Sequence, residues 1–198
     1  MKNYQILGEK IDLIPLRYRD HKNWVELRNR NKDWLSPWEA TRPKILGEIP
    51  NGKLPSSYWE MIYQNRQDIK NLRNFAFGIW LNHLHSGCKS KTPELIGQIN
   101  LAGLVFGAMR GANIGYWIDE NHSGQGYMTE AVKILSRFSF EKLGLRRIEI
   151  NCRPENLASI QVALKAGYQF EGSRPSFLHI AGDWRDHNVY VLLNSQIL

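Results

Sequence analysis

The chain has 198 residues, of which 42% are hydrophobic, 11% aromatic and 23% charged, and its formal net charge is +7. This length fits one domain, and a chain of this size buries roughly 70% of its unfolded surface, so a full core forms without disulfides. Its two cysteines, Cys88 and Cys152, make neither a disulfide framework nor a four-ligand zinc site. No apolar run approaches the ~20 residues of a membrane span, and residues 1–10 lack the apolar region of a signal peptide. We therefore expect a soluble protein of the cytoplasm, with no membrane partner.

The positive charge is unevenly distributed along the chain. Residues 1–75 hold 14 Lys or Arg against 9 Asp or Glu, residues 76–130 hold 3 against 4, and residues 131–198 hold 9 against 6. Such an excess makes either a solvated surface or a binding surface for a polyanion, such as nucleic acid, a ribosome, an anionic membrane surface or a phosphorylated cofactor. The sequence contains no nucleic-acid-binding motif, so charge alone does not choose between these interpretations.

The N-terminal segment begins with a predicted strand and helix. Residues 11–16 alternate as in a strand, and Pro15 favours a position at the edge of a sheet. Asp20 is placed to cap a helix that runs to about Asn31, with Leu27 on its buried side.

A long loop and a second helix follow. Residues 36–55 are rich in Pro, Gly and Asn, and a loop of roughly 20 residues is usually functional or disordered. Ser57 and Glu60 form a capping-box pattern, which predicts a helix that ends near Lys70.

From residue 75 onward the pattern changes to strands separated by helices. The predicted strands are 75–81, 95–106, 112–118, 147–152, 168–172, 177–180 and 184–193, and the predicted helices are 128–143 and 158–166. A polar turn region covers 83–93, and Gly144 is expected to end the first of these helices. We expect the strand at 112–118 to pair antiparallel with the one before it. This order of elements predicts an α+β domain around one sheet.

The strongest chemical signal is the pair of glycines, Gly124 and Gly126, between a strand and a helix. Glycines let backbone amides approach a ligand closely, and the helix N-terminus adds partial positive charge, so this loop suits a pyrophosphate. The alternative is an ordinary tight turn. A Walker loop is excluded because the required Lys is missing, and a dinucleotide fingerprint would need a third glycine at Thr129.

Residues 115–131 resemble the acyl-CoA loop of the GNAT superfamily of N-acetyltransferases, whose pattern is Gln/Arg-x-x-Gly-x-Gly/Ala. Asn121 stands at the first position of that pattern. Further segments are similar to the RimJ/RimL branch, namely 35–39, 115–119, 153–159, 165–168, 171–172 and 184–187. The resemblance implies a single α+β GNAT domain over residues 1–198, with a mixed, mostly antiparallel sheet that is splayed at the acyl-CoA site and flanked by helices. Within it, the acceptor loop belongs to residues 1–73 and the acyl-CoA core to residues 74–198.

The same resemblance implies acetyl-CoA as co-substrate and no metal. Acetyl-CoA would lie where the sheet splays open between the strand at 95–101 and the strand at 147–152. The residues implied for the pyrophosphate are Ser123, Gly124, Gln125, Gly126, Tyr127, Met128 and Thr129. Those implied for the pantetheine arm are Gln98, Ile99, Asn100 and Leu101, one of which would place an amide at the thioester oxygen. Asn156 either binds the pantetheine or caps the next helix.

Two residues are candidates for proton transfer. The position where the superfamily often places an acidic Tyr is Ala163, so we expect Ser159 to protonate the leaving thiolate, unless it is only a hydroxyl on the helix surface. Glu39 in the long loop is the candidate to orient the amine or accept its proton, unless it is merely an exposed glutamate. His122 and His179 are weaker alternatives for the base.

The RimJ/RimL branch acetylates the N-terminal amines of ribosomal proteins. The resemblance therefore implies direct attack, in a ternary complex, by a protein α-amine, an N-terminal Ala or Ser of a ribosomal protein. The segments 38–39 and 184–187 are closer to the alanine-modifying type. The alternatives are acetylation of a polyamine or aminoglycoside, which the basic composition disfavours, and a CoA-binding module without catalysis. Further expectations are a contact between the basic surface and rRNA, and a monomer or homodimer.

Overall fold

The computed structural model describes residues 4–43, 55, 57–82 and 93–195, which contain eight strands and five helices. The strands are β1 (Ile6–Leu7), β2 (Ile11–Ile14), β3 (Asn74–Leu81), β4 (Glu94–Val105), β5 (Gly111–Ile118), β6 (Arg147–Cys152), β7 (Gln169–Ile180) and β8 (Asp183–Leu193). The helices are α1 (His21–Arg30), α2 (Lys32–Leu35), α3 (Tyr58–Lys70), α4 (Tyr127–Leu143) and α5 (Leu157–Lys165). None of these helices is long and apolar enough to cross a membrane.

All eight strands form one sheet in the order β1-β2-β3-β4-β5-β6-β8-β7. Every neighbouring pair is antiparallel except β5 and β6, which are parallel. The crossover that a parallel pair requires is supplied by α4, which lies between β5 and β6 in the chain. The predicted α+β class and the mixed, mostly antiparallel sheet are therefore confirmed.

The sheet is open between β5 and β6. These two strands pair only where residues 111–113 meet residues 147–149, and β5 then continues to Ile118 with no ladder partner on that side among the described residues. The sequence placed this opening beside the strand at 95–101, which is wrong because β5 lies between β4 and β6. Two successive antiparallel strands of similar pattern precede the glycines, and their spacing alone does not tell which one borders the gap.

Two hydrophobic clusters hold the sheet and its helices together. In the larger one, Leu135 of α4 packs with strand residues such as Phe77 and Leu101, and all three are 0% exposed. In the smaller one, Leu27 of α1 and Ile62 of α3 pack against the first strands of the sheet. Each such side chain contributes roughly 1.5–3 kcal/mol on burial, so both helix layers are firmly attached. The β5 end and the α4 N-terminus are thereby held on one rigid framework.

The helix boundaries follow local signals closely. The hydroxyl of Ser57 accepts a hydrogen bond from the backbone N–H of Glu60 at 3.2 Å, so the predicted N-terminus of α3 is confirmed. The predicted helix at 128–143 is α4, and Gly144 is its C-cap residue, as expected. Asp20 stands at the N-cap position of α1 as predicted, although its carboxylate accepts from the backbone N–H of Arg17 instead.

Three details of the sequence prediction change. The strand at 11–16 ends before Pro15, and it is not at the edge because β1 pairs with β2. The strands predicted at 168–172 and 177–180 are one strand, β7, because pairing with β8 continues across two irregularities. Residues 44–54 of the predicted loop, and all but Pro93 of the predicted turn region, lie outside the described residues.

Candidate active site

A cavity of about 650 Å³ opens where β5 and β6 separate. It is lined by the end of β5, the loop before α4, the first turns of α4 and α5, and a wall from the N-terminal segment. The sequence-predicted residues that line it are Glu39, Ser123, Gly124, Gly126, Tyr127, Met128, Thr129, Asn156 and Ser159. The fold thus brings the glycines, both proton-transfer candidates and Asn156 into one cavity.

The glycine loop (residues 123–126) presents backbone amides to this cavity. Gly124 and Gly126 have φ angles of +75° and +87°, which other residues adopt only with strain. The first hydrogen bond of α4 runs from the N–H of Glu130 to the carbonyl of Gly126, so the N–H groups of Tyr127 to Thr129 precede the helical ladder. No side chain of the described residues caps them. Together with the helix dipole, they make a terminus suited to an anionic ligand such as a pyrophosphate.

A buried carboxylate anchors this loop to the N-terminal segment. Asp119, 1% exposed, directly follows β5 and accepts hydrogen bonds from Arg30 at 2.8 and 3.1 Å, from Asn31 at 2.7 Å and from His122 at 2.7 Å. Burial disfavours the charged form, but these hydrogen bonds outweigh it and hold the pKa of Asp119 below its usual value. The sequence reasoning missed this residue, although a lone Asp between a buried strand and a functional loop was a readable signal.

Ser159 in the first turn of α5 belongs to a small, partly buried network. Its Oγ lies 2.9 Å from the Oη of Tyr116 on β5, and it also hydrogen-bonds the thiol of Cys152 on β6. Burial raises the pKa of both Tyr116 and Cys152 above their ordinary values, so both stay protonated near neutral pH. The Tyr116 hydroxyl donates to the backbone carbonyl of Ser159 at 3.2 Å. Either hydroxyl can donate in the contact between Ser159 Oγ and Tyr116 Oη, so this pair positions the Ser159 hydroxyl at the cavity. Tyr116 was missed because its alternation with Ile114 and Ile118 indicates only a core position.

Glu39 lines the cavity as part of an acceptor wall (residues 34–39). Its carboxylate forms an ion pair with Arg28 of α1, whose guanidinium lies 5.0 Å from the ring centroid of Trp117. The wall is tied to distant strands: Trp34 Nε1 donates to the carbonyl of Ile118 at 3.2 Å, and the N–H of Ala181 donates to the carbonyl of Glu39 at 3.1 Å. The ion pair with Arg28 and the backbone hydrogen bond from Ala181 therefore fix Glu39 in position, so it is not an unattached loop glutamate.

The predicted histidines have other partners. The Nδ1 of His122 is engaged by Asp119, and its ring lines the cavity next to the glycine loop. His179 lies outside the cavity lining and contacts Thr41 at 2.8 Å, which joins the end of the acceptor wall to the β7–β8 hairpin. Neither arrangement makes His122 or His179 a better candidate for the base than Glu39. In the part of the chain that the structure describes, no group of His, Cys, Asp or Glu is arranged to hold a metal ion.

The strand residues predicted for the pantetheine are placed elsewhere. Ile99 and Leu101 are fully buried in the larger hydrophobic cluster, while Gln98 and Asn100 line a separate, smaller cavity. The prediction for residues 98–101 is corrected because these residues belong to β4, one strand away from the opening. The β5 residues 116–118 line the candidate site in their place.

Two further predicted residues contribute through local contacts. Asn156 caps α5, since its Oδ1 accepts from the N–H of Ser159 at 3.0 Å, and it also lines the cavity. Gln125 is exposed and does not line the cavity; its side chain donates to the carbonyl of Asn121 at 2.9 Å and closes the loop on itself. Ala163, which occupies the position of the superfamily's usual Tyr, is fully buried.

Comparisons with known proteins point to one family. The sequence pattern described as acetyltransferase (GNAT) domain matches residues 10–169. The ribosomal-protein-serine acetyltransferase of Escherichia coli (strain K12) is 39% identical over 197 residues, which cover 96% of this chain and 97% of the relative. The ribosomal protein uS5-alanine N-acetyltransferase of the same strain is 27% identical over 169 residues, which cover 85% of this chain and 80% of the relative.

A solved structure is similar to this chain in both fold and sequence. Mycobacterium smegmatis RimJ in complex with CoA-disulfide superposes with a TM-score of 0.79 at 27% identity, covering 94% of this chain and 83% of that chain. The family match spans most of the chain, and the opening between β5 and β6 and the glycine loop lie within it. The chain therefore belongs to the GNAT family of acetyltransferases.

Proposed function

We propose that this acetyltransferase transfers the acetyl group of acetyl-CoA to the N-terminal α-amine of a protein, with ribosomal proteins that begin with Ser or Ala as acceptors. The observation that carries the proposal is the single cavity that joins the glycine loop, Ser159 and the acceptor wall with Glu39. The printed names of the two ribosomal-protein relatives support the acceptor class. A ribosomal acceptor places the reaction in the cytoplasm.

The glycine loop and the first turn of α4 are suited to hold the pyrophosphate of acetyl-CoA. No side chain in the described part of the chain caps their amides, and apart from the neighbouring residues no described atom lies within 4 Å of where a Cβ at Gly124 or Gly126 would stand, so the space in front of the backbone is open. Among the described residues, 116–118 have no strand partner on the side of β6, and an extended arm that carries amides pairs well with such an edge. We therefore assign the pantetheine to β5 in place of residues 98–101.

Acetyl-CoA supplies an activated acetyl thioester, and the residues of this chain manage the protons. Ser159 would donate its proton to the leaving thiolate and regain one from solvent, while its contacts with Tyr116 and Cys152 position the hydroxyl. A thiol has a pKa near ~8.5, so the thiolate is a good leaving group and a weakly acidic hydroxyl suffices. Ser159 is in our proposal the group that touches the reacting atoms, and Tyr116 acts through it.

Glu39 is proposed to orient the acceptor amine for direct attack on the thioester in a ternary complex. An α-amine has a pKa near ~7.7–8.0, so a useful fraction is already neutral at cellular pH and a strong base is unnecessary. The ion pair with Arg28 keeps the carboxylate in place and partly neutralises it, which suits an acceptor of hydrogen bonds from the amine. The proton that the amine loses then passes to Glu39 or to water.

We expect N-terminal Ser to be preferred over Ala. The serine-modifying relative shares 39% identity with this chain, and the alanine-modifying relative shares 27%. This preference departs from the similarity of residues 38–39 and 184–187 to the alanine-modifying type. Two short segments weigh less than a match along the whole chain.

The test is acetyl-CoA turnover, measured as free thiol released, with matched hexapeptides that begin with Ser or Ala. A peptide of the same sequence with a formylated N-terminus is the control, because it lacks the nucleophilic amine. We expect turnover with both free peptides and none with the control. Faster turnover of spermidine or an aminoglycoside than of either peptide would contradict the acceptor class. CoA binding without turnover of any amine would contradict catalysis. Mass spectrometry of ribosomal proteins with and without the gene then identifies the acceptor in the cell.

A further inference from the structure

One face of α3 carries aromatic and cationic side chains that the catalytic cavity does not use. Trp59, Tyr63, Arg66 and Lys70 recur at helical spacing and share one side of the helix. Trp59 is 50% exposed and Tyr63 is 58% exposed, and Lys70 is exposed as well. None of the four lines the cavity of the candidate active site. Large aromatic side chains exposed together on one helix face mark an interaction surface.

Residues before and within α1 widen this surface into an aromatic platform, defined here as Tyr18, His21, Trp59 and Tyr63. The ring of His21 is stacked on Trp59 with a centroid distance of 4.8 Å and an interplanar angle of 23°. Tyr18, 36% exposed, lies 5.7 Å from Trp59, and the guanidinium of Arg66 lies 4.5 Å from the Tyr18 ring. These contacts hold the rings of Tyr18, His21 and Trp59 in place before any partner binds, which lowers the entropy cost of binding.

Four cations, Arg19, Lys22, Arg66 and Lys70, and three carboxylates surround the platform; Arg19 lies 3.9 Å from Asp20. The side chains of Arg19 and Lys22 are 75% and 83% exposed, and they extend the cations of α3 onto the neighbouring turn. Carboxylates are present at Asp20, Glu26 and Glu60. Asp20 is turned inward, with its side chain only 14% exposed, and Glu26 lies 4.0 Å from Lys22. The platform belongs to the segment in which 14 Lys or Arg face 9 Asp or Glu.

We infer that the aromatic platform and its cations bind single-stranded RNA, with unpaired bases stacked on Trp59 and Tyr63 and phosphates held by Arg19, Lys22, Arg66 and Lys70. Stacking on exposed aromatic rings requires bases that are not already paired, which favours a single strand over a duplex. From Trp59 to Lys70 the helix rises about 16 Å, enough for a short run of nucleotides. A second copy of this chain is a poorer occupant, because the cations of two platforms would face each other.

The inference is tested by fluorescence anisotropy of a fluorescein-labelled 12-nucleotide RNA of uridines at several salt concentrations. Trp59→Ala combined with Tyr63→Ala should weaken binding about tenfold or more, while Trp59→Tyr with Tyr63→Phe keeps most of the affinity because aromatic faces remain. Phe170→Ala is the matched control, since Phe170 is 56% exposed and lies on β7, outside the platform.

The salt dependence of RNA binding tests the cations. Arg66→Gln combined with Lys70→Gln should reduce the slope of log Kd against log salt concentration by about 1.4, because each of the two lost phosphate contacts contributes about 0.7 to that slope. Lys142→Gln, at the exposed end of α4, should leave the slope unchanged.

Three results would overturn the inference. The first is that the wild type binds the RNA no more tightly than the variant that combines Trp59→Ala with Tyr63→Ala. The second is equal weakening by Phe170→Ala, or equally tight binding of a 12-base-pair duplex, since either would indicate charge without stacking. The third is a wild-type dimer in sedimentation that the platform variant dissociates, which would make a second copy the occupant. Turnover of a short peptide by the platform variants should stay at the wild-type level, so a failed RNA test and a failed acceptor test are distinguishable.

Discussion

The glycine loop and the acceptor wall line the same cavity, but they are built from different parts of the polypeptide. The glycine loop and the first turn of α4 offer backbone N–H groups from consecutive residues, positioned by the φ angles of Gly124 and Gly126. The acceptor wall offers side chains that distant residues hold, such as Glu39 by Arg28. A backbone site tolerates most side-chain changes and fails when the backbone conformation is lost. In a site made of side chains, each substitution removes only the contacts of that side chain.

Asp119 joins these two regions. It follows β5 at the start of the loop, and its partners Arg30 and Asn31 belong to the N-terminal segment that leads into the acceptor wall. The comparison therefore predicts large effects from backbone changes in the loop, a stability effect at the junction, and smaller, separable effects in the side-chain part of the site.

Gly126→Val should have the largest effect. Valine at a φ of +87° is strained, and its side chain would project into the open space in front of the loop. We expect CoA affinity to fall about hundredfold or more, measured by isothermal titration calorimetry. Gly172→Val is the control, because a Cβ there also meets no atom within 4 Å but the residue has no left-handed φ. Equal CoA affinity of the two variants would remove the loop from the site.

Ser159→Ala should lower kcat by roughly 100-fold with little change in CoA affinity, which is the lower end of the effect of removing a general acid. The backbone N–H that Asn156 caps is retained in this variant, so the helix terminus stays intact. Steady-state kinetics with a Ser-initiated peptide measures the change, and Ser173→Ala on β7 serves as the control. A kcat equal to that of the wild type would reject Ser159 as the acid.

Asp119→Asn should destabilise the protein by about 2 kcal/mol, because the donors from Arg30, Asn31 and His122 lose a buried, charged acceptor. The folded-state pKa of Asp119 is depressed, so its contribution is present above the unfolded pKa of ~3.9 and is lost as pH falls through the folded pKa. Urea unfolding at pH 7 and below pH 4 should show the difference between wild type and variant shrinking in acid. The exposed Asp183→Asn is the control, and a difference that does not depend on pH would contradict the assignment.

Glu39→Gln should raise the KM for the peptide about tenfold, the scale of one charge-assisted hydrogen bond, and leave CoA affinity unchanged. The backbone contact from the N–H of Ala181 to the carbonyl of residue 39 is unaffected by the substitution. Initial rates over a range of peptide concentrations measure the effect. Unchanged peptide kinetics would show that the acceptor does not contact Glu39.

Tyr116→Phe should have the smallest effect, about a fivefold drop in kcat, since it removes a hydrogen bond that positions Ser159. Tyr116→Phe added to Ser159→Ala should cost nothing further, because Tyr116 acts through that hydroxyl. Additive losses in the double variant would indicate an independent role for the tyrosine. The pKa of Tyr116 is raised by burial, so no tyrosine ionisation should appear in the neutral part of the pH profile of the wild type.

Much of the fold was predictable because its signals are local. Ser57 at an N-cap position, the stripe of residues at 128–143 and Gly144 after it define α3 and α4 correctly. The placement of residues 98–101 was wrong because strand order is a long-range property, and β4 and β5 have similar local patterns. The local sequence pattern could not identify Tyr116 as a site residue for the same reason, since its partner Ser159 is 43 residues away in the chain.

The sequence by itself determined the secondary structure of α3, α4 and β3 to β6, and the position of the glycine loop. Helix periodicity, caps and the special φ angles of glycine are properties of a few consecutive residues. Only the tertiary structure decided that β5 borders the opening, that Ser159 meets Tyr116 and Cys152, and that Glu39 pairs with Arg28. These contacts join residues from separate elements, and their geometry exists only after the sheet and both helix layers have packed.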